Sequence, residues 1–154
     1  MRENAKLYIA YGSNMNVEQM KYRCPEAKLI TSLYLENFRL RFKGDNNYSV
    51  ATIEPAADHL VPVTVWEIMP GDEESLDLFE GYPLLYRKET IELKLGKKRF
   101  VAMYYVMNSN GYSYGFPSKQ YFQTIMEGYL DAGFDPKLLH QAVAENVERE
   151  VMAF

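Results

Sequence analysis

The stretch Leu7-Tyr8-Ile9-Ala10-Tyr11-Gly12-Ser13-Asn14-Met15-Asn16-Val17-Glu18-Gln19 decides how the chain begins to fold. Its first five residues are apolar or aromatic and read as a strand; Gly12-Ser13-Asn14 breaks it. Asn16 can then cap a helix, with Gln19 at the third helical position completing a capping-box pattern, and Pro25 closes that element. A strand is thus fed into a turn whose backbone donors lie beside a helix start. Donors so placed can face an anion, as in a phosphate loop, but the spacing is neither a Walker nor a dinucleotide glycine motif. Ser13 lacks a GxSxG elbow and a His partner, which argues against a Ser-His-Asp hydrolase.

Working outward, residues 27–42 are strand-prone and interrupted around Glu36-Asn37, and Phe38-Arg39-Leu40-Arg41-Phe42 alternates with period two. Gly44-Asp45-Asn46-Asn47 marks a turn. Two further strands are expected at Tyr48–Glu54 and Val61–Ile68, separated by Pro55 and an Ala-Asp-His segment, with Pro62 favouring an edge or a bulge. Pro70-Gly71-Asp72 opens a helix for which Asp72 is the expected N-cap, and Gly81 and Pro83 end it. Glu89–Leu95 and Arg99–Val106 flank Gly96-Lys97-Lys98 as a hairpin. Ser118 caps a helix through Leu130, and Asp135-Pro136 opens a last helix with an apolar stripe of Leu138, Leu139, Ala142, Val143 and Val147. Strict alternation of strands and helices is missing. The expected fold is therefore α+β, a compact mixed or antiparallel β-barrel-like core with surrounding short helices, in one domain over 1–154.

With 154 residues, 47% of them hydrophobic, the chain can bury a real core without staples. Seventeen Lys and Arg against 21 Asp and Glu give a net charge of −4, which supplies no general pull toward nucleic acid or anionic lipid. The basic residues between Arg87 and Arg99 alternate with acids and apolar residues, as on the solvated face of a hairpin. Cys24, the sole cysteine, excludes an internal disulfide and a CxxC site, and His59 and His140 form no zinc ligand set. No apolar run approaches membrane-span length and no signal-like segment opens the chain, so the expected location is cytoplasmic, with no membrane partner. The last helix is expected to pack its stripe on the core or on a second copy in a homodimer.

Among candidate chemical groups, Glu80 is the sharpest, at the end of a short helix before Gly81-Tyr82-Pro83. A carboxyl beside aromatic rings gains proton affinity by desolvation, and a helix-end Glu is otherwise a surface residue. Asp77 and Glu73 are its neighbours, and offer a second reading as paired carboxylates for hydrolysis. Tyr112, Tyr114 and Phe116 in the loop after Val106 could line the acceptor side of a pocket or close the core. Trp66 reads as core, Cys24 as a small buried apolar residue.

Tyr8-Ile9-Ala10-Tyr11-Gly12-Ser13-Asn14-Met15, then Leu76-Asp77-Leu78-Phe79-Glu80-Gly81-Tyr82-Pro83, Tyr86-Arg87 and Pro117-Ser118-Lys119-Gln120-Tyr121, together resemble the gamma-glutamylcyclotransferase-like family, over roughly residues 7–135. The resemblance implies a small β-barrel-like core with helices around it and a pocket at its mouth. It implies Glu80 as the acid/base, and Tyr11, Gly12, Ser13 and Asn14 as the loop that binds the gamma-glutamyl part, chiefly through backbone donors. It implies Tyr86 and Tyr121 as pocket and substrate-orienting residues, a gamma-glutamyl small molecule as partner, and no metal or organic cofactor. The implied reaction is lactam closure to 5-oxoproline with release of an amine or amino acid. An amide hydrolase, a gamma-glutamyl transferase or a binding protein on the same pocket would carry the same motifs.

Overall fold

In the computed structural model, residues 1–45 and 48–152 are described, with side chains as far as Asn146. Asn46 and Asn47 of the expected turn, and the Val147 side chain of the expected stripe, lie outside them. The elements are β1 (Lys6–Ala10), α1 (Val17–Arg23), β2 (Lys28–Asp45), β3 (Tyr48–Ile68), α2 (Pro70–Glu80), β4 (Tyr86–Leu95), β5 (Lys98–Met107), β6 (Ser113–Tyr114), α3 (Lys119–Ala132) and α4 (Pro136–Met152). A 3-10 turn, Ser13–Met15, joins β1 to α1. One mixed sheet of order β4-β5-β1-β3-β2-β6 holds the strands. Only β1 and β5 run parallel; every other pair is antiparallel. The fold is α+β, a curled half-barrel sheet with short helices around it.

The two strands expected at 48–54 and 61–68 are one continuous element. Its pairing with β2 jumps from Pro55↔Phe38 to Leu60↔Glu36, so 56–59 make an excursion opposite Asn37. Asn37 and Asp58 take positive φ there, and the Asp58 amide donates to Asn37 Oδ1. Pro55 and Pro62 are tolerated because β1 accompanies β3 only over Thr64–Ile68, leaving the other side of the prolines without a ladder partner. Asp72 does not occupy the N-cap as expected. Met69 does, and Asp72 caps from the third helical position by accepting from the Met69 amide at 2.9 Å. Asn16 and Ser118 cap α1 and α3 as expected, accepting from the amides of Gln19 and Tyr121.

The bend in the β2–β3 hairpin carries 48–54 back toward the open end of the β4–β5 hairpin. The Phe42↔Ala51 pair marks the place. Both residues turn their backbone groups away from each other, as in a non-hydrogen-bonded antiparallel pair, so both need partners from outside the ladder. For Ala51, the Tyr86 hydroxyl donates to the carbonyl at 2.6 Å and the Tyr121 hydroxyl accepts from the amide at 3.0 Å. For Phe42, the fully buried Asn146 amide accepts from the N–H and donates to the carbonyl, both at 3.1 Å. Asn146 also donates to the Gly115 carbonyl at 3.0 Å.

The core is continuous, with Ile9, Met15, Phe42, Ile53, Leu76, Ile125 and Leu139 closed to solvent. Trp66 and Cys24 are buried in it, as read from the sequence. Leu139 is buried, and Leu138, Ala142 and Val143, half-buried, pack on the same core. Gly128 lets α3 touch the turn after β1: a Cβ there would lie 2.8 Å from the Asn16 amide nitrogen. Among the described residues, no helix is long and apolar enough to cross a membrane.

Asn146→Leu keeps the volume and removes every partner that Phe42 draws from α4. The Phe42 N–H loses its partner while the Phe42 carbonyl keeps the Gly115 amide at 3.1 Å, so we expect a loss of about 1–3 kcal/mol in urea unfolding. An unfolding midpoint equal to that of the wild type would show that α4 adds nothing through this contact.

Candidate functional site

A cavity of about 420 Å³ opens between the Tyr11–Asn14 turn, the end of α2, the far half of β3 and α3. The seven residues that the family resemblance implies line it: Tyr11, Gly12, Ser13, Asn14, Glu80, Tyr86 and Tyr121. They come from positions 11 to 121 and meet because β1 is central in the sheet while the bent β3 turns Ala51 toward it. Gly12 is at the closest point: a Cβ there would lie 3.2 Å from Ala51 Cβ and 3.4 Å from the Tyr121 hydroxyl.

Glu80 is the last residue of α2, and Gly81 at φ 64° ends the helix behind it. Burial pushes its carboxyl up to about 7, against the opposing pull of the Arg23 guanidinium. Glu80 Oε1 lies 3.5 Å from Asn14 Nδ2, which donates at 3.0 Å to the Tyr8 hydroxyl. Burial also raises the phenols of Tyr8, Tyr11, Tyr86 and Tyr121, so they remain protonated at neutral pH. The Tyr11 hydroxyl donates to the Tyr105 carbonyl at 2.6 Å. The Tyr86 hydroxyl donates to the Ala51 carbonyl and the Tyr121 hydroxyl accepts from the Ala51 amide, so both residues line the cavity on a fixed frame.

Among the lining residues that the sequence reading does not single out are Tyr8, Arg23 and Tyr105. Tyr8 was read as part of an undifferentiated apolar strand. Arg23 sits in the last turn of α1, where a cation is an ordinary complement to the helix end. Its guanidinium donates to Asn14 Oδ1, lies 3.4 Å from Ser13 Oγ, and stacks over the Phe79 ring at 3.2 Å. Tyr105 enters through the hairpin register opposite Lys88.

The second reading, of paired carboxylates, is overturned. Asp77 accepts from the Tyr105 hydroxyl at 2.6 Å and pairs with Lys88 at 2.8 Å, and Glu73 pairs with Lys88 and Lys6. Burial raises Glu73, but the two lysines outweigh it and hold the carboxyl below its usual range. Both acids are committed to cations and neither lines the cavity. Tyr112, Tyr114 and Phe116 do not line it either; Tyr114 donates to Glu54 and covers Lys43 and Arg41. Tyr48, Val50, Phe79 and Leu85 provide the apolar wall instead. His59 and His140 are exposed, away from the cavity. Among the described residues, no group of three or more His, Cys, Asp or Glu is disposed to hold a metal ion.

This arrangement offers one carboxyl titrating near neutrality, a turn with amides at a helical start, and a shaped, largely aromatic wall. It suits proton transfer on a small anionic substrate. The family profile of gamma-glutamyl cyclotransferase, AIG2-like proteins matches residues 8–125. The Homo sapiens gamma-glutamylcyclotransferase is 30% identical over 142 residues, spanning 85% of this chain and 73% of that protein. A solved gamma-glutamyl cyclotransferase has a TM-score of 0.77 at 25% identity, over 90% of this chain and 86% of that one. YkqA from Bacillus subtilis, at 17% identity, shares the fold with a TM-score of 0.73, over 94% of this chain and 55% of that one. Matched over most of its length, including the turn after β1 and the end of α2, the chain belongs to the gamma-glutamyl cyclotransferase, AIG2-like family, and its chemistry is of the gamma-glutamyl cyclotransferase type.

Proposed function

We propose that the protein closes a gamma-glutamyl amide to 5-oxoproline and releases an amine or amino acid, with Glu80 moving the proton. The observation that carries this reading is the place of the Glu80 carboxyl, which burial pushes up to about 7, in the same cavity as the Tyr11–Asn14 turn. A carboxyl with that proton affinity exchanges protons in either direction at neutral pH.

The substrate brings its own nucleophile. Its α-amine attacks the γ-carbonyl carbon, a C–N bond forms, and a five-membered ring with a tetrahedral centre results. Glu80 takes the proton that the attacking nitrogen must lose and returns one to the departing nitrogen as the original amide bond breaks. Backbone N–H groups at Ser13 and Asn14, which precede the first bond of the 3-10 turn, would hold the α-carboxylate. Binding in a folded-back conformation removes much of the entropy cost of ring closure. Tyr86 and Tyr121 would limit where the γ-carbonyl can sit.

Turnover of gamma-glutamyl amino acids, amines and short peptides should yield 5-oxoproline and free amine in equal amounts. Linear glutamate as product would instead establish hydrolysis, and transfer to an added acceptor a transferase. Glu80→Gln should bind substrate yet lose at least about 10²-fold in kcat, the lower range of general-base contributions. The ionised carboxyl is the base, so kcat/KM should fall about tenfold per pH unit below a midpoint of about 7. A well-folded Glu80→Gln with near-native turnover would reject Glu80.

The same carboxyl makes a stability prediction of definite sign. Its folded pKa, about 7, lies above the unfolded value, so its contribution is full below about 4.5 and is lost as pH rises through 7. Glu80→Gln should therefore be more stable than the wild type at pH 8.5, by up to about 3 kcal/mol, with the difference vanishing near pH 4. Equal urea midpoints at both pH values would contradict the buried ionisation.

Gly12→Val should cost far more activity than Ser13→Ala, because a side chain at 12 meets Ala51 Cβ and the Tyr121 hydroxyl while the serine hydroxyl has only a 3.4 Å contact to Arg23. Steady-state kinetics of both variants decide this; a greater loss in Ser13→Ala would shift substrate recognition from the backbone to the hydroxyl.

A further inference from the structure

We infer that Arg23 is a positioning residue: its guanidinium fixes the Asn14 amide with the NH2 group toward Glu80 and ties the Gly12–Asn14 turn to the end of α2. The inference rests on the reading of Glu80 as the proton carrier of the site.

The argument starts from hydrogen-bond inventory. A guanidinium has donors and no acceptor, so the Asn14 atom that meets Arg23 Nη1 is the carbonyl oxygen. The NH2 group is then turned to the Tyr8 hydroxyl at 3.0 Å and to Glu80 Oε1 at 3.5 Å. Without the guanidinium, the buried amide oxygen loses its donor, and the orientation of the NH2 group is left to the Tyr8 hydroxyl at 3.0 Å and the longer 3.5 Å contact to Glu80. Asn14 is buried, so the lost donor could not be replaced by bulk water.

The second tie is to α2. The guanidinium carbon lies 3.2 Å from the centroid of the Phe79 ring, and Phe79 directly precedes Glu80. A cation on a ring face is attracted to it, so one side chain of α1 grips both the turn and the last turn of α2. Lysine could supply the charge but not the planar fork and stack together.

The groups facing Glu80 from the packed elements are Tyr8 and Tyr11 from β1 and its end, Arg23 from α1, Tyr86 from β4, Tyr105 from β5 and Tyr121 from α3. The five phenols are held protonated by burial. Asp77, one turn earlier on α2, is taken by Tyr105 and Lys88. Arg23 is the cation among the described residues that line the cavity, and its pull on the Glu80 carboxyl is downward.

The test is a carbon-13 carboxyl titration of Glu80 by NMR on the whole chain without substrate, in wild type, Arg23→Gln and Arg23→Lys, alongside pH profiles of kcat/KM. Arg23→Gln should raise the Glu80 midpoint by about one unit and cut kcat/KM at pH 7 roughly fivefold, with the acidic limb displaced equally. Arg23→Lys should fall between the two. A Glu80 midpoint unmoved in Arg23→Gln, with effects confined to KM or to Tm, overturns the inference. If Arg23→Gln does not fold, the lysine variant decides: an upward midpoint with lowered kcat supports the role, and wild-type values for both overturn it. The titration needs no turnover, so a displaced midpoint in a chain that cyclises no gamma-glutamyl substrate would sink the functional reading while retaining Arg23 in its place.

Discussion

The structure depends on how the Ala51 peptide is satisfied. Its N–H and C=O point away from β2, and water cannot supply partners in a packed interior. Two tyrosine hydroxyls, from β4 and α3, do so instead. Each bond fixes a phenol by its oxygen, and each fixed phenol lines the cavity. The shape of the site is thus a by-product of backbone satisfaction in the sheet. Phe42 across the pair is handled by the same logic with an amide from α4, so one edge of the hairpin is pinned by β4 and α3 and the other by α4.

Within that frame the chemistry has little freedom. Glu80 is enclosed because α2 ends at the cavity wall and Gly81 turns the chain away in a left-handed conformation. An enclosed carboxyl must either find a full set of donors or hold its proton more tightly. Here the donor is a single distant amide and the cation sits behind it, so the proton affinity rises to a useful value. Asp77, three residues earlier, shows the contrast: with Tyr105 and Lys88 against it, it is structural.

Much of this was legible in the sequence, for local reasons. The hairpin at Gly96-Lys97, the Asn16 and Ser118 caps and the break at Gly12 are all set by residues within a few positions of each other. Glu80 and the Tyr11–Asn14 turn each stand out as candidates on their own residues, but their union in one site is legible only through the resemblance to a family, since nothing in spacing alone joins position 14 to position 80. The continuous β3 was missed because Pro55 and Pro62 break a strand unless its other side is unpaired, and that depends on how far β1 extends. Asp72 was placed at the cap itself because the polar residue was sought there, whereas Met69 relies on the reciprocal half of a capping box. Arg23 left no signal: its role exists only once the seven residues of α1 fold it back over the turn.

The parallel pairing of β1 with β5 bears on the order in which the molecule can assemble. Leu7 meets Ala102 and Tyr8 meets Met103, contacts that span most of the chain, while β2–β3 and β4–β5 are hairpins joined by near neighbours. The hairpins can form with little loop entropy, whereas the parallel pairing of β1 with β5 must close a long loop. The cavity draws its lining from the turn after β1, the start of β3, the end of α2, β4, β5 and α3, so its wall is complete only when this long-range pairing and the packing of α3 are both in place.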